Sequence, residues 1–214
     1  MAQISFRQFL QTAFDKGSYA TDDIIDFAMP LLEGVRKLHE ANLVADFQTE
    51  RLLYVDENRL NINEGFVINA SAAFREIPPV QINGNQCFEA ASGLHDAQTD
   101  IYSLGLVLGS IAFGLDLYKA TDAEQFLKYR HAPLLQNKRL HPTLAVLITE
   151  MTEPDRSLRM QDLYEIIQRL RSYRDYDPEK QTDLSNIPGW VSKELKDRNQ
   201  WILSKLRSRL FDTS

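Results

Sequence analysis

The sequence has one cysteine, Cys87, among 214 residues. No internal disulfide can form, so a disulfide-stapled scaffold is excluded, and a lone thiol fits a reducing, cytoplasmic compartment. Basic charge is also short: 24 Lys and Arg stand against 30 Asp and Glu, a net charge of −6. That balance lacks the broad positive field of a nucleic-acid binder. No apolar run is long enough to cross a bilayer. The longest, Leu104 to Leu117, is interrupted by Gly105, Gly109, Ser110, Gly114 and Asp116 and suits a buried helix. The N-terminus carries no apolar signal core. His39, His95, His131 and His141 are too scattered for a metal cluster, and no metal is expected. Internal repeats and low-complexity tracts are absent. What is present is ordinary globular composition: 43% hydrophobic, 25% charged and 10% aromatic, enough to build a core.

The periodicity is mainly helical. Ile4, Phe6, Phe9, Leu10, Ala13 and Phe14 recur at helical spacing up to Lys16-Gly17. Thr21, Asp22 and Asp23 form a capping cluster for a second helix. Its stripe is Ile24, Ile25, Ala28, Leu31, Leu32, Val35 and Leu38. Pro30 lies inside that stripe and should kink the helix or mark its first turn. From Leu43 the period changes. Leu52 to Val55 and Leu60 to Ile62 flank the turn Asp56-Glu57-Asn58-Arg59 and predict a small β-hairpin. Residues 66–98, with Pro78-Pro79 and Asn83-Gly84-Asn85, read as one long loop, a kind that is usually functional or mobile.

Thr99-Asp100 is expected to cap an apolar helix from Ile101 to Phe113, stopped by Gly114. Shorter helices are predicted over 122–129 and 143–151, and an amphipathic one over 159–172 on Leu163, Ile166, Ile167 and Leu170. This gives a lobe over 1–174, a linker over 175–189 and an amphipathic C-terminal helix over 190–214. That last helix carries six cations against three carboxylates, with Trp190 and Trp201 as apolar anchors. It reads as packing on the acidic lobe, or as binding a membrane surface or a partner groove.

The order of these pieces resembles the C-terminal lobe of a protein kinase of the bacterial Ser/Thr type, over roughly residues 5–172. The resemblance rests on a helix ending in Leu-Leu-Glu-Gly-Val-Arg-Lys-Leu-His-Glu-Ala (31–41) and on the hairpin that follows it. Thr-Asp-Ile-Tyr-Ser-Leu-Gly (99–105) and Glu-Pro-Asp-Arg-Ser-Leu-Arg (153–159) complete it. It implies a catalytic-loop carboxylate at Asp46, with Val44-Ala45 in place of His-Arg. Arg51 then falls where such enzymes carry a magnesium-binding Asn, and a guanidinium offers no acceptor to a metal. Glu64, in Glu64-Gly65-Phe66, falls on the Asp-Phe-Gly that binds the second metal. Cys87-Phe88-Glu89 resembles the Ala-Pro-Glu that closes the activation segment, and Glu89 would pair with Arg156 or Arg159. Asp100 resembles the helix-capping Asp that supports the catalytic loop.

The sequence contains no Gly-x-Gly-x-x-Gly loop and no Val-Ala-x-Lys strand. It is expected to begin near the hinge, without an N-lobe. Asp46 reads either as a general base or, the reading we favour, as a loop carboxylate capping backbone N–H groups. The expectation is therefore a degenerate, non-catalytic pseudokinase used as a protein-interaction or scaffold module within a larger signalling or defence protein. ATP, magnesium and other cofactors are not expected. A protein partner or a second copy is expected on the face carrying Phe47, Leu52, Tyr54 and Phe66, or on Trp190 and Trp201. The competing reading is a kinase half-site completed in trans by a separate N-lobe, acting as a Ser/Thr phosphotransferase.

Overall fold

The computed structural model describes residues 3–12, 19–45, 47, 52–64, 67–69, 95–116, 119–131 and 133–175. The helix expected over 190–214, and all but the first residue of the linker expected over 175–189, lie outside them.

The N-terminal helical pattern divides in two. Ile4–Ser5 is a short strand, β1, and helix α1 runs over Phe6–Thr12. The Ser5 hydroxyl accepts the Gln8 N–H at 3.1 Å, which ends the helix at its N-terminal side. Ile4 is thereby left to pair with Val55 across a sheet, a correction to its helical assignment.

Helix α2 spans Thr21–Glu40. Asp23 accepts the Ala20 N–H at 2.7 Å, so the helix is closed at this end by a carboxylate of its own first turn. The Thr21 hydroxyl instead accepts the His141 N–H at 2.6 Å, tying the start of α2 to a distant segment. The helix runs through Pro30, which is not in its first turn. Ile24, Ala28, Leu31, Leu32, Val35 and Leu38 are buried along one stripe, as their spacing requires.

Asn42, with φ of 57°, turns the chain into β2, Leu43–Ala45. Strand β3, Leu53–Asp56, and β4, Arg59–Ile62, form the expected hairpin, with Val55 opposite Leu60. Glu57 and Asn58 both have positive φ, 47° and 60°, the left-handed pair that matches a two-residue turn to strand twist. Strand order in this sheet is β1-β3-β4. A fifth strand, β5, Val67–Asn69, pairs antiparallel with β2, with Val44 opposite Ile68. It lies within the segment expected to be loop throughout, because three residues are too few to show a period.

Helix α3, Ala97–Phe113, is buried on nearly every side. It begins four residues earlier than expected. Its N-cap is Asp96, which accepts the N–H groups of Gln98 and Thr99, while the Thr99 hydroxyl accepts the Asp96 N–H at 2.9 Å. Thr99 and Asp100 are therefore inside the first turn, not at the cap. Gly114, with φ of 69°, ends the helix as expected. A Cβ at Gly109 would lie 2.1 Å from the Phe126 ring, and one at Gly105 would lie 2.7 Å from Met151 Cβ, so these glycines set how closely neighbouring elements reach α3.

Helices α4, Ala120–Tyr129, α5, Pro133–Gln136, and α6, Pro142–Met151, surround α3, and α5 is a short helix the sequence pattern did not indicate. Helix α7 covers Leu163–Arg171, later than its expected start at 159, because Asp162 caps it by accepting the Tyr164 N–H at 2.8 Å. It packs on α2 and α6 through Leu163, Ile166, Ile167 and Leu170. The described fold is mainly helical with two small antiparallel sheets. Among the described residues, no helix is long and apolar enough to cross a membrane.

Candidate functional site

The packing of α2 against α3 brings the last turn of one beside the first turn of the other. His39 comes from α2 and Asp100 from α3. Asp100 Oδ2 lies 2.8 Å from His39 Nε2 and also accepts the Ala45 N–H at 2.8 Å. Asp100 is only 2% exposed and Ala45 is buried. Removal from water pushes the Asp100 carboxyl up to about 6, against the opposing pull of the His39 hydrogen bond and charge and the Ala45 N–H. For the ionised carboxylate, His39 must present its proton on Nε2.

This arrangement does a positioning job. One oxygen ties together a helix end and the last residue of β2, so the end of that strand is held at a fixed point beside α2 and α3. Pairing of β2 with β5 holds the same residues from the other side. The carboxylate is internal and has both partners in the scaffold.

A second polar node is formed where the Glu153 to Arg159 segment meets the start of α3. Arg159 is 2% exposed. Its Nε donates to the Glu153 carbonyl at 2.8 Å, Nη1 to the Gln98 carbonyl at 3.0 Å and Nη2 to the Pro154 carbonyl at 3.2 Å. The guanidinium also lies over the Tyr102 ring, 5.0 Å from its centroid. Arg156 pairs with Asp96 at 2.5 Å, so it engages the N-cap of α3. Each arginine fastens the start of α3 to the loop ahead of α7.

Four of the remaining expected residues fall among the described ones. Glu64 is exposed just past β4. Phe47 is half-buried and packs on the core. Leu52 has no exposure and belongs to the core itself, a correction to its place among surface contacts. Tyr54 is half-buried on β3, opposite Ser5 and Asn61. Asp46, Arg51, Phe66, Glu89, Trp190 and Trp201 lie outside the described residues. Among the described residues, no group of three or more His, Cys, Asp or Glu side chains is placed to hold a metal.

Two participants escaped the sequence reading. His39 reads in the sequence only as one of four scattered histidines, yet it is a partner of Asp100. Asp96 was not singled out, although Asp96-Ala-Gln-Thr99 has the spacing of a reciprocal N-terminal cap. Comparison with protein-family models and with curated proteins yields no match for this chain.

Proposed function

We propose that the chain is a non-catalytic, kinase C-lobe-like module that binds a protein partner. The observation that carries this reading is the double contact of Asp100 Oδ2 with His39 and the Ala45 N–H. In a kinase-like alignment, that aspartate supports the loop bearing the catalytic carboxylate, and Ala45 immediately precedes Asp46. On this reading the contact that supports such a loop is retained. The residue five positions on is Arg51, a cation where magnesium would need an oxygen ligand. Positioning and charge stabilisation make up most of phosphoryl-transfer catalysis, so a scaffold with this substitution keeps shape and loses chemistry.

Thermal denaturation of the full chain with ATP and magnesium or manganese tests the reading. The melting temperature is expected to stay unchanged. A nucleotide present at a hundred times its Kd would add about 2.7 kcal/mol of stability, which such a measurement detects readily. A saturable rise would overturn the reading. If the rise came with phosphate transfer to a protein hydroxyl, it would favour the half-site kinase instead.

A further inference from the structure

Helices α2 and α7 leave a groove of about 320 Å³ between them, on Glu33, Arg36, Lys37, Tyr164, Ile167 and Arg171. Its charge runs against that of the molecule. Three cations and one carboxylate line it, in a chain whose net charge is −6. Glu33 shows what the cations bind: its two oxygens accept from the Arg36 Nε at 2.9 Å and the Arg171 Nη2 at 2.5 Å. Arg36 also donates to Glu40. Lys37 is exposed and makes no ion pair among the described residues. Beside these cations stands Tyr164, 58% exposed, the one large apolar side chain so exposed among the described residues. Tyrosine and arginine around a concavity are the side chains that dominate interface energetics.

We propose that this groove docks an acidic segment of a partner protein, with a carboxylate of the segment on Lys37 and Arg171 and an apolar neighbour on the Tyr164 ring. The inference rests on the binding-module reading and names the class of partner. Charge complementarity selects this occupant. A flat anionic bilayer fits a concave site poorly and would repel the acidic remainder of the chain. A nucleic-acid backbone, with its run of phosphates, would meet too few cations in a groove that holds three.

The probe is a fluorescein-labelled decapeptide of alternating glutamate and leucine, titrated with the full chain and read by anisotropy. Saturable binding is expected. A lysine-for-glutamate version of the peptide should not bind. Lys37→Glu and Tyr164→Ala should each weaken binding about tenfold, while Lys138→Glu, at an exposed position outside the groove, should leave it unchanged. Lys37→Glu alters an exposed side chain with no ion pair among the described residues, and an unchanged melting temperature confirms its fold. Absence of saturation, or equal affinity for the Lys37→Glu protein, overturns the proposal. So does co-sedimentation with phosphatidylserine vesicles that Lys37→Glu abolishes, because the occupant would then be a membrane. Stabilisation by ATP would overturn the module reading, whereas peptide failure alone removes only the groove.

Discussion

His39 on α2 and Asp100 on α3, 61 positions apart in sequence, meet at 2.8 Å between Nε2 and Oδ2. The same carboxylate oxygen holds the Ala45 N–H. Asp100→Ala removes the acceptor from two donors at once and leaves a buried backbone N–H without a partner. The expected loss is on the order of 2–3 kcal/mol, read as a lower urea midpoint with an unchanged slope. An unchanged midpoint would mean that the loop is held by β2–β5 pairing alone.

The protonation of Asp100 gives stability a pH dependence of definite sign. Its folded-state value, about 6, lies above the ordinary 3.8. The native state therefore holds this proton more tightly than the unfolded chain. The contribution is fully present below about pH 3.8 and is lost as pH rises through about 6. Asp100→Asn has no such titration. Relative to it, the native protein should lose stability across that window by an amount on the order of 2–3 kcal/mol. Denaturation of both proteins at closely spaced pH values measures the difference, and parallel curves would show that burial does not raise this carboxyl.

Arg159 joins three carbonyls that no single-pointed cation can reach together. Arg159→Ala should cost on the order of 3 kcal/mol, because buried acceptors lose their donors and a cavity remains beside Tyr102. Arg159→Lys should restore only part of this. Chemical denaturation of the two variants supplies the comparison. Full recovery by lysine would show that charge alone, and not the planar fork, holds the Glu153 to Arg159 loop.

The helices that carry the core were legible where long apolar stripes repeat. The α2 stripe from Ile24 to Leu38, the Gly114 stop and the hairpin around Glu57-Asn58 all follow from spacing and local turn chemistry. These signals are local, so no knowledge of distant residues is needed. Short elements escaped for the converse reason. Ile4 reads as helical until Val55 is brought beside it, and Val67–Asn69 becomes a strand only against Leu43–Ala45.

Sequence by itself determined the mainly helical character, the order of the long elements and the acidic balance, because each is set by composition or by contacts within a few residues. Tertiary structure alone decided the long-range partners of the charged groups. Asp100 turned from an expected helix cap into a buried link between His39 and Ala45 once Asp96 had taken the cap. Arg159 moved from the expected start of a helix to the interior, where the carbonyls of Gln98 and Glu153 surround it. Glu33 and Arg171, 138 positions apart, became neighbours when α7 packed on α2. A polar side chain buried by folding must find its hydrogen bonds among whatever the packed helices place within reach, and that neighbourhood is a property of the fold as a whole.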